Sequence, residues 1–76
     1  MNPTMPRVTA QQVLRVMRKD GWTEVRRSGS HVSLRHPSKP GLVVIPMHSA
    51  RTVRLGTLAK ILKDAGLTVD EFRRLL

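Results

Sequence analysis

One short stretch of the sequence combines residue types that can act together on a phosphodiester. It runs from Arg26 to His36 and contains Arg27, a Gly-Ser-His triplet that ends at His31, and Arg35. A histidine can move protons near neutral pH because its unperturbed pKa is about 6.5. Arginine side chains stay charged and bind phosphate oxygens through a planar fork of N–H donors. These types suit RNA cleavage through the 2′-hydroxyl, which needs proton transfer and stabilisation of a charged phosphorane.

Two predicted β-strands position this stretch. Residues 22–27 and 31–36 have β-type composition, and small residues separate them. Gly29 can adopt the positive φ that such a turn often needs, and serine is a common turn residue. The stretch is therefore predicted to be a β-hairpin.

Strand alternation predicts which side chains share a face. If Val32 and Leu34 point into a core, then His31, Ser33 and Arg35 face the other way, beside the arginines of the preceding strand. Such a surface suits a phosphate backbone. A solvated strand face that carries incidental charge explains the same pattern, so both interpretations remain open at this point.

The other two histidines and the carboxylates do not form a recognisable metal or acid–base motif. His36 shares the alternation of Leu34, and His48 lies in a predicted connector, so a structural role is favoured for both. The uneven histidine spacing predicts no metal site, and no cofactor motif is found. An evident second acid–base group is missing.

The amino-acid composition limits the classes of partner and the cellular compartments that are expected. Fourteen Lys and Arg against five Asp and Glu give the 76 residues a formal charge of +9, which favours a polyanion or an acidic protein as partner. The absence of cysteine excludes a disulfide framework and a thiolate zinc site. No run is apolar enough to predict a membrane span, and no signal peptide pattern is seen, so a cytoplasmic protein is expected.

Three helices are predicted around the hairpin. The first begins with a capping box formed by Thr9 and Gln12 and stops at Gly21. The second begins near residues 54–57 and ends at Gly66, and the third begins with another capping box, Thr68 with Glu71.

The apolar run 42–45 predicts a third strand, which Pro46 closes. Because apolar and polar residues do not alternate in this run, both faces of the strand are candidates for burial. Helices would cover one face, and a second subunit or a partner could cover the other. The order α-β-β-β-α-α predicts an α+β fold in which a three-stranded antiparallel sheet has helices on one face. Residues 1–7 are expected to be a flexible tail and residues 8–76 one domain.

An ordered set of short motifs resembles the HicA family of bacterial mRNA interferase toxins. The motifs are Lys-Asp-Gly-Trp at 19–22, Gly-Ser-His at 29–31, His-Pro at 36–37, Lys-Pro-Gly at 39–41, Val-Ile-Pro-Met-His at 44–48 and the run Leu-Gly-Thr-Leu to Gly-Leu at 55–67. The resemblance covers roughly residues 8–67. It implies a fold like that of double-stranded RNA-binding domains, ribonuclease activity on mRNA and neutralisation by a HicB-type antitoxin. It also implies that His31 is the catalytic histidine, and Arg26, Arg27, Ser30 and Arg35 are then the expected RNA-binding residues.

Two other functions fit the same residues. A non-catalytic RNA-binding module would use the basic residues to recognise RNA shape. A DNA-binding regulator is permitted by the charge but lacks an obvious recognition helix. The sequence also leaves open whether the chain forms a homodimer or only a toxin–antitoxin hetero-oligomer.

Overall fold

The computed structural model describes residues 4–48 and 51–76. Its elements, in chain order, are α1 (Ala10–Lys19), β1 (Thr23–Ser28), β2 (His31–Arg35), β3 (Val43–Pro46), α2 (Leu55–Ala65) and α3 (Val69–Leu75). The strands form one antiparallel sheet in the order β1-β2-β3. The predicted α+β fold and its α-β-β-β-α-α order are thus confirmed, and the layout is that of a double-stranded RNA-binding domain with a short additional helix.

The helices cover one face of the sheet. Val32 and Leu34 of β2 and Val43 and Ile45 of β3 are completely buried, whereas the residues between them are not. The apolar stripes of α1 and α2 pack over this side, as the three- and four-residue spacing of their aliphatic side chains predicts. The largest fully buried side chains are Trp22, Phe72, Met17, Leu34, Ile45 and Leu58. Trp22 is therefore a core residue.

Side chains cap two of the three helices. In the predicted capping boxes, Gln12 N donates to Thr9 Oγ1 and Glu71 N donates to Thr68 Oγ1. The side chains of Gln12 and Glu71 in turn accept from the backbone N–H of Thr9 and Thr68. The bonds from the Thr68 backbone and hydroxyl lower the pKa of the Glu71 carboxyl. The start of α2 differs, because its N-cap residue Arg54 makes no side-chain cap bond.

A polar cluster joins the ends of α1, β2 and α2; we call it the Asp20 cluster. The Asp20 carboxylate accepts from Trp22 Nε1 at 3.1 Å and lies 2.6 Å from Lys39 Nζ, which also donates to the carbonyl of Ala65 at 3.0 Å. The Asp20 carbonyl oxygen lies 2.7 Å from Nε2 of His36.

The Asp20 cluster fixes the protonation pattern of the His36 ring. The backbone N–H groups of Ser38 and Lys39 both donate to Nδ1 of His36. Since Nδ1 accepts, Nε2 carries the proton and donates to the Asp20 carbonyl. The ring also packs edge-on against Trp22, with 5.2 Å between the ring centroids. His36 therefore has the structural role that its position in the sequence favours.

The segments outside the regular elements are also tied to the core. Within the predicted N-terminal tail, Met5 packs against the core and the carbonyl of Thr4 accepts from Arg73. Thr9 and Thr52 form an isolated bridge, and Val53 N donates to the Val8 carbonyl at 2.7 Å. The predicted tail at 1–3 and the centre of the predicted connector at 49–50 lie outside the described residues.

No helix in the described ranges is both long enough and apolar enough to cross a membrane.

Gly21 is a position where the fold requires glycine. Its φ is +105°, and a Cβ added there would lie 2.7 Å from His36 Nε2. Gly56 lies in α2 with open space around the same point. We expect Gly21→Ala to destabilise the protein by more than about 1 kcal/mol, because it adds backbone strain and pushes the His36 ring away from Asp20.

The matched control is Gly56→Ala, which we expect to be neutral or to stabilise by up to about 1 kcal/mol, because alanine is the better helix former. Urea unfolding of both variants measures the free energy of unfolding. Equal effects of the two substitutions would show that the contact between Gly21 and His36 is unimportant.

Candidate active site

The sheet face opposite the helices carries the residues suited to phosphate chemistry; we call it the open face. Register pairs place side chains on a common face, because residues directly opposite each other in an antiparallel ladder point the same way. The paired residues of the open face are Thr23, Arg26 and Ser28 of β1, His31, Ser33 and Arg35 of β2, and Val44 and Pro46 of β3. The helices leave this face uncovered.

β2 positions two of the predicted site residues. Val32 and Leu34 anchor the strand in the core, so His31, Ser33 and Arg35 project from the other face. His31 and Arg35 are exposed, and Ser33 between them is half-buried. Alternation along this strand predicted the arrangement, because the central strand of the sheet is buried on one face only.

A β-bulge in β1 decides which neighbouring arginine joins them. The register runs from Glu24 opposite Leu34 directly to Arg26 opposite Ser33, and Val25 is the extra residue. Without the bulge Val25 would lie opposite Ser33, and Arg26 would point to the helix side. Because of the bulge, Arg26 is on the open face with Ser33 beside it, and the exposed fraction of Val25 is 54%.

The structure does not bring Arg27 to the same surface. Arg27 lies opposite Val32, on the helix side of β1, and its Nη2 is 3.0 Å from Glu24 Oε1. Among the described residues, no ion pair is formed by Arg26 or Arg35. The two arginines of the open face are thus available to a phosphate, whereas Arg27 already has a carboxylate partner.

The hairpin turn brings two serines to the His31 end of the sheet. Ser28 lies directly opposite His31, and Gly29 with Ser30 forms the connecting turn, where φ of Gly29 is +59°. Ser30 is half-buried and its carbonyl accepts from Met47 N at 2.6 Å. Ser28 was not among the sequence-predicted site residues. A two-residue turn places Ser28 opposite His31, but the predicted strands 22–27 and 31–36 left three residues, 28–30, for the turn.

The chain that leads to His48 runs beside this same end of the sheet. Pro46 is the register partner of His31, and Met47 N bonds to the residue before His31. His48 follows and is exposed. It lies beyond the paired residues, so the ladder does not fix its side chain on the open face.

The open face has the groups for anion binding and proton transfer but no carboxylate. The paired residues offer one imidazole, two guanidinium groups and hydroxyls, and the acidic residue of β1, Glu24, points to the other side. In the described part of the chain, no three His, Asp or Glu residues are close enough to hold a metal ion together. The arrangement can bind a phosphate and move a proton at His31, and a second proton-transfer group must come from elsewhere.

Comparison with known proteins supports the resemblance found in the sequence. The family model for the HicA toxin of bacterial toxin–antitoxin systems matches residues 10–67, which is more than half of the chain. The match runs from the start of α1 through the sheet to the residue after the C-cap of α2. Comparison with curated proteins gave no match.

Because the bulge places Arg26 and Arg27 on opposite faces, it predicts different effects of Arg26, Arg27 and Arg35 on RNA binding. We expect the double variant Arg26→Gln, Arg35→Gln to bind single-stranded RNA more weakly and with a flatter salt dependence. Each phosphate contact that is lost should reduce the slope of log affinity against log salt by about 0.7. Arg27→Gln is the matched control, since it removes one charge from the same strand on the other face, and its slope should stay close to that of the wild type.

The measurement is a salt titration of affinity for a single-stranded RNA that carries 2′-O-methylribose throughout, so that cleavage does not interfere. A wild-type slope in the double variant would contradict the prediction and place the phosphate surface elsewhere, for example along Arg15 and Arg18 of α1. A larger effect of Arg27→Gln would contradict the role of the bulge.

Proposed function

The chain belongs to the HicA toxin family of bacterial toxin–antitoxin systems, and on this premise we propose that it is an endoribonuclease that cleaves mRNA. The observation that carries the proposal is an exposed histidine, His31, on an uncovered sheet face with two arginines free of ion pairs among the described residues. A surface of this kind accepts a flexible single strand, whose phosphates and sugars are accessible from one side.

The spacing on the open face suits one phosphodiester. Arg35 lies four residues from His31 along β2, which corresponds to about 13 Å between their Cα atoms, and Ser33 lies midway between them. Arg26 lies opposite Ser33 and is therefore diagonal to both, at about 7–8 Å, within reach of a long side chain. A phosphate above Ser33 would be reached by both guanidinium groups and would lie next to the imidazole.

The proposed reaction uses the ribose as internal nucleophile. His31 accepts the proton of the 2′-hydroxyl, the 2′ oxygen forms a bond to phosphorus, and the bond from phosphorus to the 5′ oxygen breaks. Arg26 and Arg35 stabilise the charge that develops on the phosphorane. The leaving 5′ oxygen takes a proton from a second group, for which His48 and water are the two candidates. The products carry a 2′,3′-cyclic phosphate and a 5′-hydroxyl, and no step requires a metal ion.

We propose a HicB-type antitoxin as the protein partner. A ribonuclease of mRNA would harm its own cell, and the charge of +9 attracts an acidic protein as readily as RNA. The β3 side of the open face also exposes apolar surface, since the exposed fraction is 38% for Leu42 and 40% for Val44. A protein that covers His31 and packs on these side chains would block access of the RNA.

The decisive test of the activity is His31→Ala. We expect the variant to lose cleavage while it keeps the fold and most of its RNA affinity. The side chain is exposed, so its removal opens no cavity and should change the free energy of unfolding by no more than about 0.5 kcal/mol. A positioned acid or base contributes roughly 10²–10⁴-fold in rate. Purified protein with labelled RNA, followed by end-group analysis, measures the effect.

Two substrate and buffer controls accompany this variant. Wild-type cleavage should persist in EDTA, and RNA with 2′-deoxyribose at the scissile position should resist. Unchanged cleavage by His31→Ala would remove His31 from the mechanism, and efficient cutting of the deoxy-substituted RNA would exclude attack by the 2′-hydroxyl. If the wild type binds RNA without cleaving it, the non-catalytic RNA-binding module is favoured instead. The lack of a second acid–base group on the open face is also compatible with that alternative.

The antitoxin proposal has its own test. We expect the partner in excess to inhibit cleavage completely, because it occupies the face that RNA needs. Association should slow as salt increases, because opposite charges steer the encounter. The substitution Val44→Ser removes apolar contact area without a change in charge, and it should weaken the complex more than it weakens RNA cleavage. Full activity of the saturated complex would exclude inhibition by occlusion.

A further inference from the structure

A cavity opens where β3 ends and the two long helices begin. Its volume is about 340 Å³, within the range of sites that hold small ligands. The residues that line it include Pro46, His48, Arg51, Arg54 and Thr57. Pro46 also belongs to the open face, whereas His48, Arg51, Arg54 and Thr57 lie outside the sheet.

Basic side chains dominate the charge of this cavity. His48, Arg51 and Arg54 supply an imidazole and two guanidinium groups, and Thr57 supplies a hydroxyl. None of the described residues that line it is acidic. Four described carboxylates pair with Arg27, Lys39, Lys60 and Arg74 rather than with these arginines. The two guanidinium groups at one cavity repel each other, and an anion in the cavity relieves that repulsion.

The N-termini of α1 and α2 add to the positive electrostatic potential at the cavity. Neither α1 nor α2 has an acidic residue in its first turn, although such residues are favourable there. At α2, no side chain caps the helix at Arg54.

Backbone contacts hold the walls of the cavity in place. Thr9 at the start of α1 bridges to Thr52, and Val53 N donates to the Val8 carbonyl at 2.7 Å. Val53 is buried in the core. Arg51 and Arg54 are therefore carried on either side of an anchored segment.

The cavity adjoins the end of the open face that carries His31. Pro46, which lines the cavity, is the register partner of His31, so their Cα atoms are about 5 Å apart across the sheet. A nucleic acid strand whose scissile phosphate lies beside His31 passes the mouth of the cavity if it continues beyond β3.

We propose that this cavity binds a second phosphate of the RNA, one that flanks the scissile phosphate. The inference rests on the proposed function for the identity of the anion, and it assigns Arg51 and Arg54 as binding residues. The open face then binds the reacting phosphate and the cavity fixes the direction of the strand. Occupancy at both places would hold the RNA across the β3 edge.

The test compares two double variants on the same helix region. Arg51→Gln with Arg54→Gln removes two charges from the cavity, and Lys60→Gln with Lys63→Gln removes two charges from exposed positions further along α2. Affinity for a single-stranded RNA with 2′-O-methylribose throughout is measured against salt. We expect the cavity variant to lose about 0.7 from the log–log slope, the amount for one single-strand phosphate, and the control to keep the wild-type slope.

Cleavage kinetics provide an independent readout. A flanking phosphate contributes binding in the ground state and the transition state alike, so the cavity variant should raise KM and leave kcat nearly unchanged. A wild-type slope and KM in the cavity variant would overturn the proposal. An equal loss in both double variants would also overturn it, because the effect would then follow net charge and not the cavity.

A titration with inorganic phosphate tests the cavity without RNA. The amide signals of Gly56 and Thr57 should shift in the wild type as phosphate replaces chloride at constant ionic strength, and the shifts should disappear in the cavity variant. Loss of antitoxin affinity in that variant with unchanged RNA slope and unchanged phosphate shifts would assign the cavity to the protein partner and overturn the proposal. A wild-type protein that binds RNA with the expected slope but never cleaves it would refute the ribonuclease and leave the phosphate site standing.

Discussion

The contact on which the rest of the structure depends is the one between Asp20 and the loop after β2. A single carboxylate accepts from Trp22 and Lys39, while the carbonyl of the same residue accepts from His36. Because Lys39 also donates to Ala65 at the end of α2, the Asp20 cluster joins both long helices to the sheet. The groups are only partly exposed, 19% for the Asp20 side chain and 31% for Lys39, so an unpaired member would be costly to leave there.

The Asp20 cluster also accounts for the different surroundings of His31 and His36, which are five residues apart. His36 has both ring nitrogens occupied by backbone groups, which leaves none for a substrate. His31 projects from the open face, where no helix covers it. The strand alternation and the turn at Gly21 thus separate a ring that is held in the fold from one that is exposed on the open face.

Local patterns predicted most of the fold, and the reason is physical. The capping boxes at Thr9 and Thr68, the glycine stops and the aliphatic spacing each depend on residues within one turn of each other. The placement of His31 and Arg35 followed from the alternation of β2, because a strand buried on one face has only one way to orient. The apolar run of the third strand did not decide what covers its second face, and within the chain Val44 on that face is exposed.

The features that the sequence could not predict depend on contacts between residues that are far apart in the chain. A bulge at Val25 is set by the pairing of β1 with β2, and it exchanges the faces of Arg26 and Arg27. The Asp20 cluster joins residues up to 45 positions apart, from Asp20 to Ala65. The cavity likewise needs β3, the bridge between Thr9 and Thr52 and the start of α2 to meet. None of these leaves a periodic signal in the sequence.

One feature of β1 bears on the dynamics of the site. All six of its residues are exposed, so the strand is held by its ladder to β2 and by the buried Trp22 that precedes it, with no apolar anchor of its own. Local opening costs least where few apolar contacts are broken. Opening of β1 would therefore break fewer apolar contacts than opening of β2 or β3, whose buried side chains belong to the core. Such an opening would move Arg26 and Ser28 away from His31, so the arrangement of these three residues depends on the ladder between β1 and β2 and not on the core.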